Sequence, residues 1–92
     1  MIDGEIYCIE IRVDNVLFIY RETGCTNSIT HYAYMLSDNE IKVSGYGATG
    51  RLGNYFDNIR NATEDEKARF MAYLWDYGFW WNKANKKMIQ KD

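Results

Sequence analysis

Three glycines form the most recognisable chemical motif of the sequence. Gly45, Gly47 and Gly50 follow a G-x-G-x-x-G pattern, after a predicted strand and before a predicted short helix. In dinucleotide-binding folds, glycines at this spacing let backbone amides approach a pyrophosphate at a helix N-terminus. Arg51 comes next and adds a cation that suits a phosphate or a partner's carboxylate. A small-ligand or nucleotide site in this loop is therefore one of the two functions considered.

The position of these glycines along the chain favours a mobile connection instead. A dinucleotide fingerprint opens a βαβ unit at the first strand of its domain. Here it follows three or four predicted antiparallel strands, and the sequence predicts no strand after it. Nucleotide binding therefore stays the alternative function.

Residues suited to catalysis are few. His31 is the only histidine, and Cys25 lies six residues before it. A general base must reach its nucleophile, and the residues around this pair do not support a catalytic arrangement. We expect a protein that is not an enzyme and that has no catalytic residue, no cofactor and no metal.

Carboxylates are dispersed over the body of the chain. Residues 1–82 carry a net charge of −5, whereas residues 83–92 form a basic tail with a net charge of +3. An acidic body repels nucleic acid, so direct binding of nucleic acid is not expected. In a symmetric dimer the same charges would imitate a phosphate array to a DNA-binding enzyme. The candidate acidic surface comprises Asp57, Glu64, Asp65, Glu66 and Asp76.

The main predicted helix covers residues 64–81. Thr63 is a favourable N-cap, and Glu66 three residues later completes a capping box. Acidic residues in the first turn interact favourably with the positive end of the helix dipole. Gly78 interrupts the pattern and predicts an end or a bend before Phe79.

This helix is apolar over roughly 200° of its circumference, about twice what one core covers. Two adjacent stripes produce this width, one through Met71 and Trp75 and the other through Phe70 and Leu74. The sheet can cover only one of them. The C-terminal segment, a second subunit or a partner must cover the other, and exposed aromatic residues of this kind mark an interaction surface. The candidate partner-binding residues are Tyr73, Trp75, Tyr77, Phe79, Trp80 and Trp81.

Alternating apolar residues predict four strands, at about residues 2–13, 16–22, 29–36 and 41–46. A turn at Asp14 and Asn15 joins the first two, and the short connections favour an antiparallel meander. A short helix over about residues 52–60 precedes the main helix. The predicted fold is a single α+β domain over residues 1–92, a four-stranded antiparallel meander followed by helices packed on one face of the sheet.

The sequence contains no apolar run long enough to span a membrane, which favours a cytoplasmic protein. It is rich in Ile, Asn, Lys and Tyr and contains no proline. In this composition, though in no motif, it resembles the small accessory proteins of AT-rich phages and mobile elements. The resemblance implies a protein that blocks a host nucleic-acid-processing or defence machine, such as a restriction or CRISPR effector. We therefore predict a non-enzymatic inhibitor that forms a homodimer and binds a host protein.

Overall fold

Six strands form one antiparallel sheet in the computed structural model, which describes residues 1–11, 14–22, 30–36, 38–43, 50–51 and 58–91. The strands are β1 Ile6–Ile11, β2 Asp14–Tyr20, β3 Thr30–Met35, β4 Ile41–Val43, β5 Gly50–Arg51 and β6 Ile59–Asn61. Their order in the sheet is β4-β3-β2-β1-β6, and β5 also pairs with β3. A 13-residue helix, α1 Glu64–Asp76, follows the sheet. The predicted α+β class with an antiparallel sheet is therefore confirmed.

The sheet is larger than the predicted meander. Strands β1 to β4 correspond to the four predicted strands and pair in sequence order. The prediction that no strand follows the glycines is wrong. Strand β5 pairs with β3 near one edge of the sheet, and β6 pairs with β1 at the other edge. The predicted turn at Asp14 and Asn15 is also wrong, since both residues lie in β2, opposite Ile11 and Glu10. The first strand begins at Ile6, four residues later than predicted, because Gly4 turns the chain with φ of 89°.

Both faces of the sheet are buried, although its strands were expected to bury one face. On one face, Cys8, Leu17 and Ile19 pack with Phe70 and Leu74 of α1. On the other face, Tyr7, Ile9, Val16 and Phe18 form a second cluster. A strand that is buried on both faces has a continuous apolar run rather than strict alternation. The segment from Ile6 to Ile9 has this pattern.

The N-terminus of α1 has the predicted capping box. The backbone N–H of Glu66 donates to Thr63 Oγ1 at 3.1 Å, and the backbone N–H of Thr63 donates to Glu66 Oε1 at 2.8 Å. The helix ends five residues before the predicted position. Gly78 adopts φ of 106°, in the left-handed region that favours glycine, and its N–H donates to the carbonyl of Trp75 at 3.0 Å.

Beyond Gly78 the chain forms a β-hairpin, which corrects the predicted helix over 64–81 and the predicted basic tail. Its strands are β7 Phe79–Asn82 and β8 Lys87–Gln90, joined by residues 83–86. Trp81 pairs with Met88, and Trp80 pairs with Ile89. The predicted helix over 52–60 falls largely outside the described residues, and its described end contains β6 instead.

The hairpin packs against the N-terminal turn. Trp81 is 8% exposed, and its Nε1 donates to the Gly4 carbonyl at 3.1 Å. Its ring lies 4.5 Å from the ring of Tyr32, measured between centroids. The Lys83 ammonium forms an ion pair with Glu5 at 2.5 Å, and the Lys86 ammonium forms one with an Asp3 oxygen at 3.3 Å. The two ends of the described chain are therefore joined around one buried indole.

We expect Trp81→Phe to lower the free energy of unfolding by about 2–3 kcal/mol. The substitution leaves the buried Gly4 carbonyl without its donor and removes part of a packed ring. Urea unfolding followed by circular dichroism measures the change.

Trp80→Phe is the matched control, because the ring of Trp80 is 40% exposed. Its expected effect is within about 0.5 kcal/mol. Equal losses for the two variants would contradict the assignment of Trp81 as the residue that fixes the hairpin.

Candidate functional site

The six aromatic residues predicted to bind a partner differ widely in exposure. Trp81 is buried, and Phe79 is half-buried against the core. The exposed fractions of the other four are 39% for Tyr73, 51% for Trp75, 57% for Tyr77 and 40% for Trp80. Large side chains exposed to this extent are the strongest candidate for a binding surface in the described part of the chain.

The outer side of the β7–β8 hairpin carries one part of this surface. Successive side chains of a strand point to opposite sides, and cross-strand partners share a side. Because Trp81 and Met88 pack against the core, the pair Trp80 and Ile89 faces away from it. The pair of Asn82 and Lys87 shares this outer side. We call these four residues, together with Lys91, the hairpin face.

Lys91 connects the hairpin face to the helix. Its backbone N–H donates to the Gly78 carbonyl at 2.8 Å, which extends the β7–β8 pairing by one residue. Its Nζ lies 4.2 Å from the centroid of the Trp75 ring, within the range of a cation–π interaction. Trp75 thereby adjoins the hairpin face, and two exposed indoles flank one continuous region.

The exposed tyrosines lie elsewhere on the helix. Tyr73 and Tyr77 are four residues apart and share a side of α1, whereas Trp75 is two residues from each and lies roughly 200° around the axis. The ring of Tyr77 stacks against Phe79 with centroids 6.0 Å apart. The predicted aromatic residues therefore form two separate surfaces. Of the two predicted apolar stripes, the core covers Phe70 and Leu74, while Ala68, Ala72 and Trp75 of the other stripe are exposed.

The glycine motif lies mostly outside the described residues, which include neither Gly45 nor Gly47. Gly50 and Arg51 form β5, where they pair with His31 and Thr30. A dinucleotide fingerprint requires a helix to begin after the third glycine, and a strand occupies this position here. Nucleotide binding by the loop stays a prediction.

The predicted acidic surface is divided in the structure. Glu66 lies against Arg60, whose Nη1 and Nη2 donate to its two carboxylate oxygens at 2.7 and 2.9 Å. The Arg60 Nε donates to Glu10 at 3.0 Å, so one guanidinium joins β1, β6 and α1. Glu64 and Asp65 are exposed at the start of α1 and Asp76 is exposed at its end, while Asp57 falls outside the described residues.

The residues suited to nucleophilic or acid–base chemistry are buried where the structure describes them. His31 is 1% exposed, and burial lowers its pKa to about 4. Cys8 is fully buried in the core, and burial raises the pKa of its thiol. Cys25 lies outside the described residues. No group of three His, Cys, Asp or Glu side chains within residues 1–11, 14–22, 30–36, 38–43 and 58–91 converges on a possible metal position.

Sequence reasoning missed four of the five members of the hairpin face, Asn82, Lys87, Ile89 and Lys91. The available signal was the apolar pair Met88 and Ile89 following Trp80 and Trp81 across residues 82–87, which allows each indole to pair with one of them. The four lysines of this segment were instead interpreted as a basic tail.

Comparison of the chain with protein-family models, with curated proteins and with solved structures gave no match. Within the described part of the chain, no helix has the length and apolar character of a membrane span.

The Arg60–Glu66 pair predicts a specific dependence of stability on pH. The Arg60 guanidinium lowers the pKa of Glu66 from 4.5 to about 2. This stabilisation is fully present above pH 4.5 and is lost as the pH falls towards 2. After allowance for solvent screening, we expect the wild type to lose about 1–2 kcal/mol more than Glu66→Gln between pH 6 and 3.

Urea unfolding at the two pH values measures this difference. His31 also contributes to acid destabilisation, because its lowered pKa favours the neutral form in the fold, but both proteins share that contribution. The control is Glu64→Gln, since the side chain of Glu64 is 91% exposed. An acid response of Glu66→Gln equal to that of the wild type would contradict the pairing.

Proposed function

We propose that the protein is a non-enzymatic binding protein that docks on another protein through the hairpin face and Trp75. The observation that carries this proposal is the exposure of Trp75 and Trp80 in a segment whose third indole, Trp81, is buried. Burial of apolar surface stabilises a fold, so two tryptophans that stay at the surface forgo stabilisation that the buried third one provides. Tryptophan is also the residue type most enriched among side chains that dominate binding energy.

The fixed position of the exposed indoles supports the same function. Trp80 is in a paired strand, and Trp75 is on a helix with Lys91 over its ring. Side chains held in this way lose little conformational freedom when they bind. This arrangement suits a preformed docking surface.

The proposed partner is a host protein in the cytoplasm, in keeping with the compositional resemblance to phage and mobile-element accessory proteins. Blocking a nucleic-acid-processing or defence machine is the proposed consequence. Docking through the hairpin face has more support than acidic mimicry of DNA. Of the candidate acidic residues, Glu66 is already paired with Arg60, and the exposed Glu64 and Asp76 lie at opposite ends of α1.

A homodimer is the proposed state of the protein without its partner. Ala68 and Ala72 are exposed on the side of α1 that also carries Trp75, so a helix pair packed there covers Trp75 until a partner replaces the second copy. Sedimentation velocity is expected to show a concentration-dependent dimer that Ala72→Lys dissociates. Asn61→Lys, at an exposed position in β6, is the control and leaves the dimer intact. A monomer at all concentrations would remove the dimer from the proposal.

The docking proposal is tested by photo-crosslinking in lysate of the host cell. A photoreactive phenylalanine analogue is placed at position 80, or at the exposed position 64 as the control. We expect position 80 to crosslink one defined protein and position 64 to crosslink none. The affinity of that protein for Trp80→Ala is expected to fall at least about 30-fold, as for a residue that dominates an interface.

Folding must be intact for this result to count, and thermal unfolding of Trp80→Ala checks it. Asn61→Ala is the control for affinity and is expected to bind like the wild type. Unchanged affinity of Trp80→Ala, or equal crosslinking at positions 80 and 64, would contradict docking through the hairpin face.

A further inference from the structure

The four lysines of the C-terminal hairpin divide into two pairs with different surroundings. Lys83 and Lys86 form ion pairs with Glu5 and Asp3 of the N-terminal turn. Lys87 and Lys91 form no ion pair with a carboxylate within the described residues. The hairpin face therefore carries two cations whose charge the described chain does not balance.

The backbone positions of these two lysines are defined by the β8 register and its one-residue extension. Lys87, Ile89 and Lys91 alternate along one side, so Ile89 lies between the two lysines, and the Lys91 ammonium lies over the Trp75 ring. Trp80 is directly opposite Ile89, and Asn82 is opposite Lys87. Four residues of extended chain span roughly 13 Å. The face is thus an apolar pair with one lysine on each side, at a separation set by the strand.

We propose that the hairpin face binds an acidic and apolar protein segment whose carboxylates lie on both sides of an apolar side chain. In an extended segment this pattern is an acid at i, an apolar residue at i+2 and a second acid at i+4, all on one side. The carboxylates pair with Lys87 and Lys91, and the apolar residue covers Trp80 and Ile89. This inference rests on the proposed docking function and names the chemistry of the partner.

Charge also distinguishes a protein segment from nucleic acid on this face. A single-stranded nucleic acid would stack its bases on aromatic rings and place its phosphates on lysines. With two unbalanced lysines the face neutralises at most two phosphates, and residues 1–82 carry a net charge of −5 that repels the remainder. A short segment with two carboxylates matches the available charge without this repulsion.

The probe is a synthetic seven-residue peptide, Ser-Glu-Thr-Leu-Thr-Glu-Ser, titrated into the full-length protein and followed by NMR. The indole N–H signals of Trp75 and Trp80 are expected to shift, while that of Trp81, which donates to Gly4, stays in place. Replacing both glutamates of the peptide by glutamine is expected to weaken binding about fivefold, as for two surface ion pairs. A peptide with its two glutamates adjacent is expected to bind as weakly as the glutamine peptide.

The protein variants provide the complementary test. Lys87→Gln combined with Lys91→Gln is expected to remove the preference for the glutamate peptide over the glutamine peptide. Lys42→Gln combined with Lys67→Gln changes the charge equally and is expected to retain the preference, since these lysines pair with Glu40 and Glu64 outside the hairpin face. Trp80→Ala is expected to weaken binding of both peptides.

Four results would overturn the proposal: equal affinity for the glutamate and glutamine peptides, no shift of either exposed indole, tighter binding of a ten-nucleotide oligothymidylate, and a protein dimer that Trp80→Ala abolishes. The last two would assign the face to nucleic acid or to a second copy of the chain. The docking function fails separately, because crosslinking of a host protein at position 80 does not depend on acidic chemistry.

Discussion

The burial of Trp81 is the interaction on which the arrangement of this protein depends. Its indole donates to the carbonyl of Gly4, from which it is separated by 77 positions in sequence. Gly4 in turn donates its N–H to the carbonyl of Tyr20 at 2.8 Å, so the N-terminal turn is attached to β2 as well as to the hairpin. Gly4 has a positive φ, which favours glycine. It also lies close to the Trp81 ring: a Cβ atom built at Gly4 would be 3.6 Å from that ring. One buried ring thereby positions an entire hairpin.

The same interaction explains why the neighbouring tryptophan is exposed. Adjacent residues in a strand point to opposite sides, so fixing Trp81 in the core directs Trp80 outwards. The ion pairs of Lys83 and Lys86 with the N-terminal turn hold the hairpin from a second direction. Burial alone would raise the pKa of Asp3, but hydrogen bonds from the Glu22 amide, Lys86 and Tyr32 lower it, which keeps the pair with Lys86 charged. The β7–β8 register thus determines both the burial of Trp81 in the core and the exposure of Trp80 at the surface.

Local sequence signals predicted the parts of the fold that depend on a few adjacent residues. The capping box of Thr63 and Glu66 and the pairing order of the first four strands are of this kind. The hairpin was missed because Phe79 and Trp81 fit both a helical stripe and strand alternation, and only the conformation of Gly78 distinguishes the two. Strand β6 was missed because the pairing of Ile59 with Ile9 joins residues 50 positions apart, which no local pattern records.

The exposed indoles at 75 and 80 were predicted from the width of the apolar arc around the helix, whereas their separation from Tyr73 and Tyr77 required the observed end of the helix. The four lysines of the C-terminal hairpin were predicted as one basic tail because their sequence does not show which of them meet a carboxylate. Asp3 and Glu5 balance two of the four, and this selection depends on the contact between the two ends of the described chain. The net charge of the hairpin surface is therefore set by these tertiary contacts and cannot be read from the local sequence.

The contact between Trp81 and Gly4 has a consequence for synthesis on the ribosome. The apolar side of β1 and β2 that α1 and the hairpin cover is made first, and the indole that fixes the hairpin is made 61 to 75 residues later. During that interval Leu17 and Ile19 have no helix above them, and a nascent chain presents an uncovered sheet surface to its surroundings. Completion of the fold therefore follows translation of residue 81, and until then this side of the sheet lacks part of its cover.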